Sequence, residues 1–131
     1  NENGELNYAE FYLEATNPTN AEILISTYIC HPQMCNNELS GPAVWCELIK
    51  WLKNEPQRKY NYRFVIAPET IGAIAYISQN FKALKENVKA GFVLSCLGDD
   101  NEYSVVLPPN ENSLSARAAK IALKEKPNSR I

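Results

Sequence analysis

Residues 23–41 read ILISTYICHPQMCNNELSG, and this stretch decides the fold. The apolar run 23–29 predicts a buried strand. It stops at Cys30-His31-Pro32, because proline cannot continue a hydrogen-bonded ladder. His31 is the single histidine of the chain. A polar segment, Asn36-Asn37-Glu38, follows, and Ser40-Gly41-Pro42 opens an amphipathic helical pattern. Ser40 is the expected N-cap, with Pro42 in the first turn. Strand, polar loop and helix N-terminus is the layout in which open α/β sheets place ligand sites. The layout recurs at 62–67, where a strand ends at Pro68-Glu69-Thr70 before a second helical pattern.

The remaining elements fall into place around these two units. Ala9, Phe11, Leu13 and Ala15 alternate with polar residues and predict a half-buried strand. The turn cluster 17–20 suggests that it pairs antiparallel with 23–29. The helix from Ser40 has an apolar face of Val44, Leu48 and Trp51 with Trp45, Ile49 and Leu52, and both tryptophans are expected in the core. Ile71, Ile74, Ala75, Ser78, Phe81, Leu84 and Val88 recur at helical steps, with an interruption expected near Asn80. Strands are expected at 91–97 and 103–107. A third helix is expected at 113–124, with Leu114, Ala118, Ile121 and Ala122 inward. The order β-β-α-β-α-β-β-α implies an α/β fold, a mostly parallel sheet with helices on both faces.

The chain has 131 residues, 45% hydrophobic and 21% charged, with a net charge of −2. That suits a single domain with one core. Residues 1–5 read as loose. No basic stripe marks a nucleic-acid surface, and no run is long enough to span a bilayer. The chain begins without methionine and ends after a polar tail, so both ends read as cut from a longer protein. The spacing of Cys30, Cys35, Cys46 and Cys96 matches no secreted disulfide framework, so free thiols in a reducing cytoplasm are expected. A thiolate metal site from Cys30, His31 and Cys35 is disfavoured, because adjacent residues on a strand point to opposite faces.

His31, Asn36, Asn37, Glu38, Glu69 and Asp99 all fall just beyond expected strand ends. An imidazole with carboxylates is a ligand set for zinc or another divalent ion, with a free carboxylate as base for water. The bland alternative is a turn histidine and a helix-capping glutamate.

Two motifs carry a resemblance. His31-Pro32-Gln33-Met34-Cys35-Asn36-Asn37-Glu38-Leu39-Ser40-Gly41 and Ala67-Pro68-Glu69-Thr70-Ile71-Gly72 resemble H-P-x-x-x-N-[DN]-x-L-S-G and A-P-E-T-I-G. These belong to the bacterial aminopeptidase-like family related to co-catalytic zinc aminopeptidases. The resemblance implies a three-layer α-β-α, zinc-exopeptidase-like fold, of which 1–131 would be the N-terminal half. It implies a zinc-dependent hydrolase of peptide or amide bonds, and some members accompany bacterial polysaccharide synthesis. Carried over from the zinc aminopeptidases, the matching metal-ligand histidine falls on His31 and the general base on Glu69. Gln33 stands where an aspartate orients the histidine, and Asn37 where an aspartate bridges two zincs. Thr70 stands where a glutamate ligand follows the base. A further ligand aspartate falls near Ser95, with Asp99 the nearest carboxylate. Glu38 and Asp99 are therefore the expected further metal ligands. Asn36, Asn37, Ser40 and Thr70 would line the ligand pocket.

The leading expectation is a metal-dependent aminopeptidase-like hydrolase domain, and the alternative is a non-catalytic module binding a small ligand or a partner protein. The expected partners are a peptide or amide substrate, neither nucleic acid nor membrane, and a second copy of the chain. The 131 residues alone are expected to be inactive.

Overall fold

A computed structural model describes residues 3–126 and 129–130. Residues 1 and 2 of the expected loose start lie outside the described residues, as do 127, 128 and 131 of the polar tail. The chain divides into two compact units, Asn1–Gly98 and Asp99–Ile131.

The first unit is built on a four-stranded sheet of order β1-β3-β2-β4. Its strands are β1 (Ala9–Leu13), β2 (Glu22–Tyr28), β3 (Asn61–Ala67) and β4 (Val88–Val93). β2 runs parallel to both β3 and β4. β1 does not pair with β2, as the short link suggested, but antiparallel with β3. The reason is that β2 already has a ladder on each edge, which leaves β3 the open edge. The buried side chain of Asn61 holds the link in that path. Its Oδ1 accepts from Ala15 N at 2.8 Å, and its Nδ2 donates to Thr19 O at 2.7 Å.

Helix α1 (Ser40–Asn54) packs Trp45 and Leu52 against Ile23, Ile25, Phe64 and Ala90. Phe64 is fully buried. Its ring meets Trp45 edge-on at 5.4 Å and Phe11 at 6.4 Å. Trp51, expected inside, is 63% exposed. It is one helical step of about 100° from the core positions, too far round to share their face.

Helix α2 (Ile71–Asn87) is continuous through Asn80, whose Nδ2 donates to Tyr76 O at 2.9 Å. Its buried residues are Gly72 and Tyr76, and Tyr76 clusters with Val65 and Ala67. Val65 follows Phe64 in the strand, so this cluster lies on the opposite side of the pleat from α1. The expected inward face is only partly kept: Leu84 packs against this cluster, but Ile71, Ile74 and Phe81 are all exposed. The cause is polar, because Tyr76 is drawn inward by its hydroxyl. That hydroxyl donates to Glu10 Oε2 and accepts from Arg63 at 3.3 Å.

Arg63 joins this group to the sheet. Its Nε bonds Glu22 Oε2 at 2.8 Å, and its guanidinium also meets Glu22 Oε1 at 3.2 Å and Glu10 Oε1 at 2.8 Å. Glu22 is 3% exposed. The Glu22 carboxylate raises Arg63 above its ordinary pKa. Burial, and then the bond to Glu10, pushes the Tyr76 phenol up to about 12. A raised folded-state pKa gives stability that is complete below the ordinary tyrosine value of about 10 and is lost as pH climbs to about 12. Tyr76→Phe is therefore expected to flatten the fall in urea midpoint between those two pH values. An equally steep fall in the variant would assign the alkaline loss to other groups.

β4 starts and ends earlier than the expected 91–97. No glycine or proline separates α2 from it, and Val88 continues the apolar helical spacing, which hid the boundary. Leu94 N still reaches Ser26 O at 2.9 Å, so the chain follows β2 one step beyond the strand. The second unit holds α3 (Leu114–Lys124) and a parallel pair of two-residue strands, β5 (Tyr103–Ser104) and β6 (Ser129–Arg130). β5 is shorter than the expected 103–107, and β6 was not foreseen. Ser113 is the N-cap of α3, accepting from Ala116 N at 3.3 Å. Ala116 and Leu123 are the buried residues of α3, while Leu114, Ala118, Ile121 and Ala122 are exposed. The expected face is thus turned outward. Among the described residues no helix is long and apolar enough to cross a membrane.

Candidate functional site

The carboxyl ends of the parallel strands β2 and β3 bring their following loops to one edge of the sheet. Ile29 N bonds Ala67 O at 3.3 Å, which ties the two exits together. Beyond this point lie Cys30-His31-Pro32 after β2 and Pro68-Glu69-Thr70 after β3. His31 Nε2 stands 3.9 Å from Glu69 Oε2, with side chains 55% and 52% exposed. Even a full ion pair this exposed would contribute about 0–1 kcal/mol, so fold stability does not account for the approach.

Between Pro32 and α1 the chain makes one wide π-helical turn, Cys35–Leu39. That turn runs straight into α1, so Ser40 is the first helical residue and not the N-cap, a position held by Leu39. Gly41 makes the close docking of α1 geometrically admissible. A Cβ there would fall 2.1 Å from Thr27 Oγ1 and 2.8 Å from Leu94 O. The π turn directs Glu38 inward, where it is 1% exposed. Its Oε2 accepts from Cys30 N, and its Oε1 accepts from the Cys30 thiol, at the long distance of 4.0 Å. Cys30 Sγ also accepts the backbone N–H of Glu69 at 3.4 Å.

Cys30, His31, Met34, Cys35 and Glu38 line a cleft of about 330 Å³. One ligand atom each from Cys30, His31 and Glu38 lies within 4.8 Å of the others. Sulfur and oxygen ligands of one tetrahedral zinc stand about 3.5 Å apart, given bonds of about 2.3 and 2.0 Å. The separation of 4.0 Å between Cys30 Sγ and Glu38 Oε1 comes within half an ångström of that, so the donor set fits a divalent ion. Adjacent Cys30 and His31 converge because β2 ends at Tyr28, and strand alternation no longer governs residues 29–31.

The other expected site residues have contacts of their own. Asn36 Oδ1 accepts from Gly98 N at 2.7 Å, and Ser40 Oγ accepts from Leu97 N at 2.8 Å while donating to Asn36 O. Both hold the chain after β4 against the π turn, a supporting role. Asn37 Oδ1 is buried with no hydrogen-bond partner among the described residues. Thr70 precedes α2 with φ 57° and no capping bond from its side chain. A left-handed backbone is uncommon for a β-branched residue, and strain of this kind gathers at functional sites. Asp99 opens the second unit, where its Oδ1 accepts from Asn101 N at 2.9 Å. Cys30 was the residue whose place in the cluster strand alternation concealed. Its sequence signal was Pro32, which ends the strand early.

A family model matches residues 1–130, that of a domain of unknown function, DUF4910. The chain belongs to the DUF4910 family. A relative from Clostridium acetobutylicum, provisionally named as a polysaccharide biosynthesis protein with aminopeptidase-like domain, is 47% identical over 98 residues. The match covers 75% of this chain and 22% of the relative. A crystal structure from Clostridium acetobutylicum, of a protein provisionally described as a peptidase, superposes with a TM-score of 0.68 at 44% identity. It covers 74% of this chain and 22% of that one. The chain thus spans about a fifth of the length of these relatives. Membership joins the mixed α/β sheet described above to a peptidase-like family.

Proposed function

We propose that this DUF4910 domain forms part of the active face of a zinc-dependent, aminopeptidase-like hydrolase of cytoplasmic peptides or amides. In this reading the sheet and its helices are one flank of a three-layer, zinc-exopeptidase-like fold. The observation that carries it is the 3.9 Å approach of His31 Nε2 to Glu69 Oε2 at the exits of adjacent parallel strands. The peptidase-like names of the relatives support it.

His31 and Glu38 would hold the ion, His31 through a ring nitrogen and Glu38 through Oε1. A bound zinc supplies Lewis-acid polarisation of the scissile carbonyl. Glu69 is exposed and reaches the same edge, so its carboxylate accepts the proton of the attacking water and passes it to the leaving amine. The buried Glu38 is held by Cys30 N and is unsuited to proton exchange with solvent. Asn36 and Ser40 keep the cleft rim in place.

A second reading is a non-catalytic module for a small ligand, favoured by the neutral Asn37 and Thr70 at positions where the co-catalytic zinc aminopeptidases have carboxylates. The experiment is hydrolysis of chromogenic amino-acid amides by a protein of the relatives' length that contains this domain. Glu69→Gln is expected to lower metal-dependent turnover about 10²–10⁴-fold, the usual scale for a lost general base, with zinc content unchanged. The 131 residues alone are expected to show no turnover. Turnover indifferent to Glu69→Gln would remove Glu69 from the chemistry. Absence of both metal and turnover would leave the binding module.

A further inference from the structure

We infer that Cys30 is itself a metal ligand, so that Cys30, His31 and Glu38 form a three-ligand site of mixed sulfur, nitrogen and oxygen donors. The inference rests on the metal reading above and extends it to the identity of the ion, because a thiolate selects zinc, cobalt or cadmium over magnesium or manganese. His31 and the carboxylates alone would make that selection less sharply.

Three independent observations converge on the sulfur. The first is distance: the ligand atoms of Cys30, His31 and Glu38 lie within 4.8 Å of one another, and Cys30 Sγ stands 4.0 Å from Glu38 Oε1. The second is a donor aimed at the sulfur. Glu69 N–H points at Cys30 Sγ at 3.4 Å, which holds the sulfur in place beside His31 and Glu38. The third is an electrostatic debt at Glu38. Its carboxylate is 1% exposed, and among the described residues it makes no ion pair. The other deeply buried glutamate, Glu22, has Arg63 as its counter-charge. A carboxylate buried without one is costly. A divalent cation between Glu38 and Cys30 supplies that charge and takes the place of the long thiol contact between them.

The ligand count has a further consequence. A catalytic zinc takes about three protein ligands and keeps an open position. With Cys30 included, one 31–38 loop and its preceding strand exit supply all three. Glu69 is tied to the sulfur by its backbone and lies beside His31 by its side chain. It stays outside the ligand set and is left for proton transfer.

The test is cobalt(II) titration of the 131-residue chain, read by absorption. A thiolate bound to cobalt(II) gives an intense near-ultraviolet charge-transfer band that imidazole and carboxylate ligands do not give. We expect one equivalent of cobalt to raise that band and zinc to abolish it by displacement. Cys30→Ser should lose the band and weaken cobalt affinity at least tenfold. A chain keeping Cys30 as its only thiol (Cys35→Ser, Cys46→Ser, Cys96→Ser) should retain both, and circular dichroism confirms that each variant is folded. Cobalt binding without the band, lost in His31→Ala but unchanged in Cys30→Ser, would overturn the thiolate assignment and leave the metal reading standing. A band that survives Cys30→Ser and vanishes in Cys35→Ser would move the ligand to Cys35. No cobalt or zinc binding by the folded chain would overturn the inference and the metal reading together.

Discussion

Phe64→Ala is expected to remove about 3–5 kcal/mol of stability, the usual cost of emptying a buried aromatic position. Phe64 is fully buried at the centre of the sheet. Its ring is gripped by Trp45 of α1 on one side and by Phe11 of β1 on the other. It thereby joins three elements that are far apart in sequence. A domain of this size has about 5–15 kcal/mol in hand, so this one change spends a large share of it. Urea unfolding followed by tryptophan fluorescence measures the loss, with Trp45 as the reporter. Phe64→Leu, which keeps most of the volume, should lose markedly less. A cost below about 1 kcal/mol for the alanine variant would mean that the ring does not pack as described.

Arg63→Met is expected to cost about 3–5 kcal/mol, because it strands a buried carboxylate. Glu22 is 3% exposed, and Arg63 grips both of its oxygens. Tyr12 OH and Asn87 Nδ2 also donate to Glu22 Oε1, at 3.2 and 3.4 Å, but they are neutral and do not balance its charge. The loss should therefore come from an unpaired charge and not from missing contacts. Adding Glu22→Gln to Arg63→Met separates the two causes. If the charge is responsible, the double variant recovers much of the loss. Two costs that simply add would show that the pair is not coupled.

The sequence was most legible where one signal sufficed. The apolar run after Glu22 and the proline at 32 located β2 within one residue at each end. The second proline, Pro68, did the same for β3. Both motif loops followed from those strands, and so did the meeting of His31 with Glu69. Legibility failed where long-range pairing or buried polarity ruled. Nothing local to residues 9–13 says that their partner lies some fifty residues on. The outward turn of Ile71, Ile74 and Phe81 depends on a tyrosine hydroxyl seeking Glu10 and Arg63, and hydrophobic spacing does not register that. Glu10 and Tyr12 read as the solvent side of a strand, yet they belong to the Arg63 network. The nearness of Cys30 to His31 was missed for a smaller reason. The strand was read as ending one residue late, and the alternation rule was carried past the point where it holds.

The two short polar side chains beside the cleft, Asn36 and Ser40, accept the consecutive amides of Gly98 and Leu97. These amides follow β4, whose ladder to β2 has already ended, so no sheet bond protects them. They are sheltered only while the π turn stays formed. The rim is therefore a single cooperative unit: when the turn after Pro32 unwinds, both amides are released in the same event. In hydrogen exchange they should share one opening free energy, set by that turn and not by the sheet. An ion held by Glu38 would tighten the turn and slow exchange at residues sixty positions away in the chain.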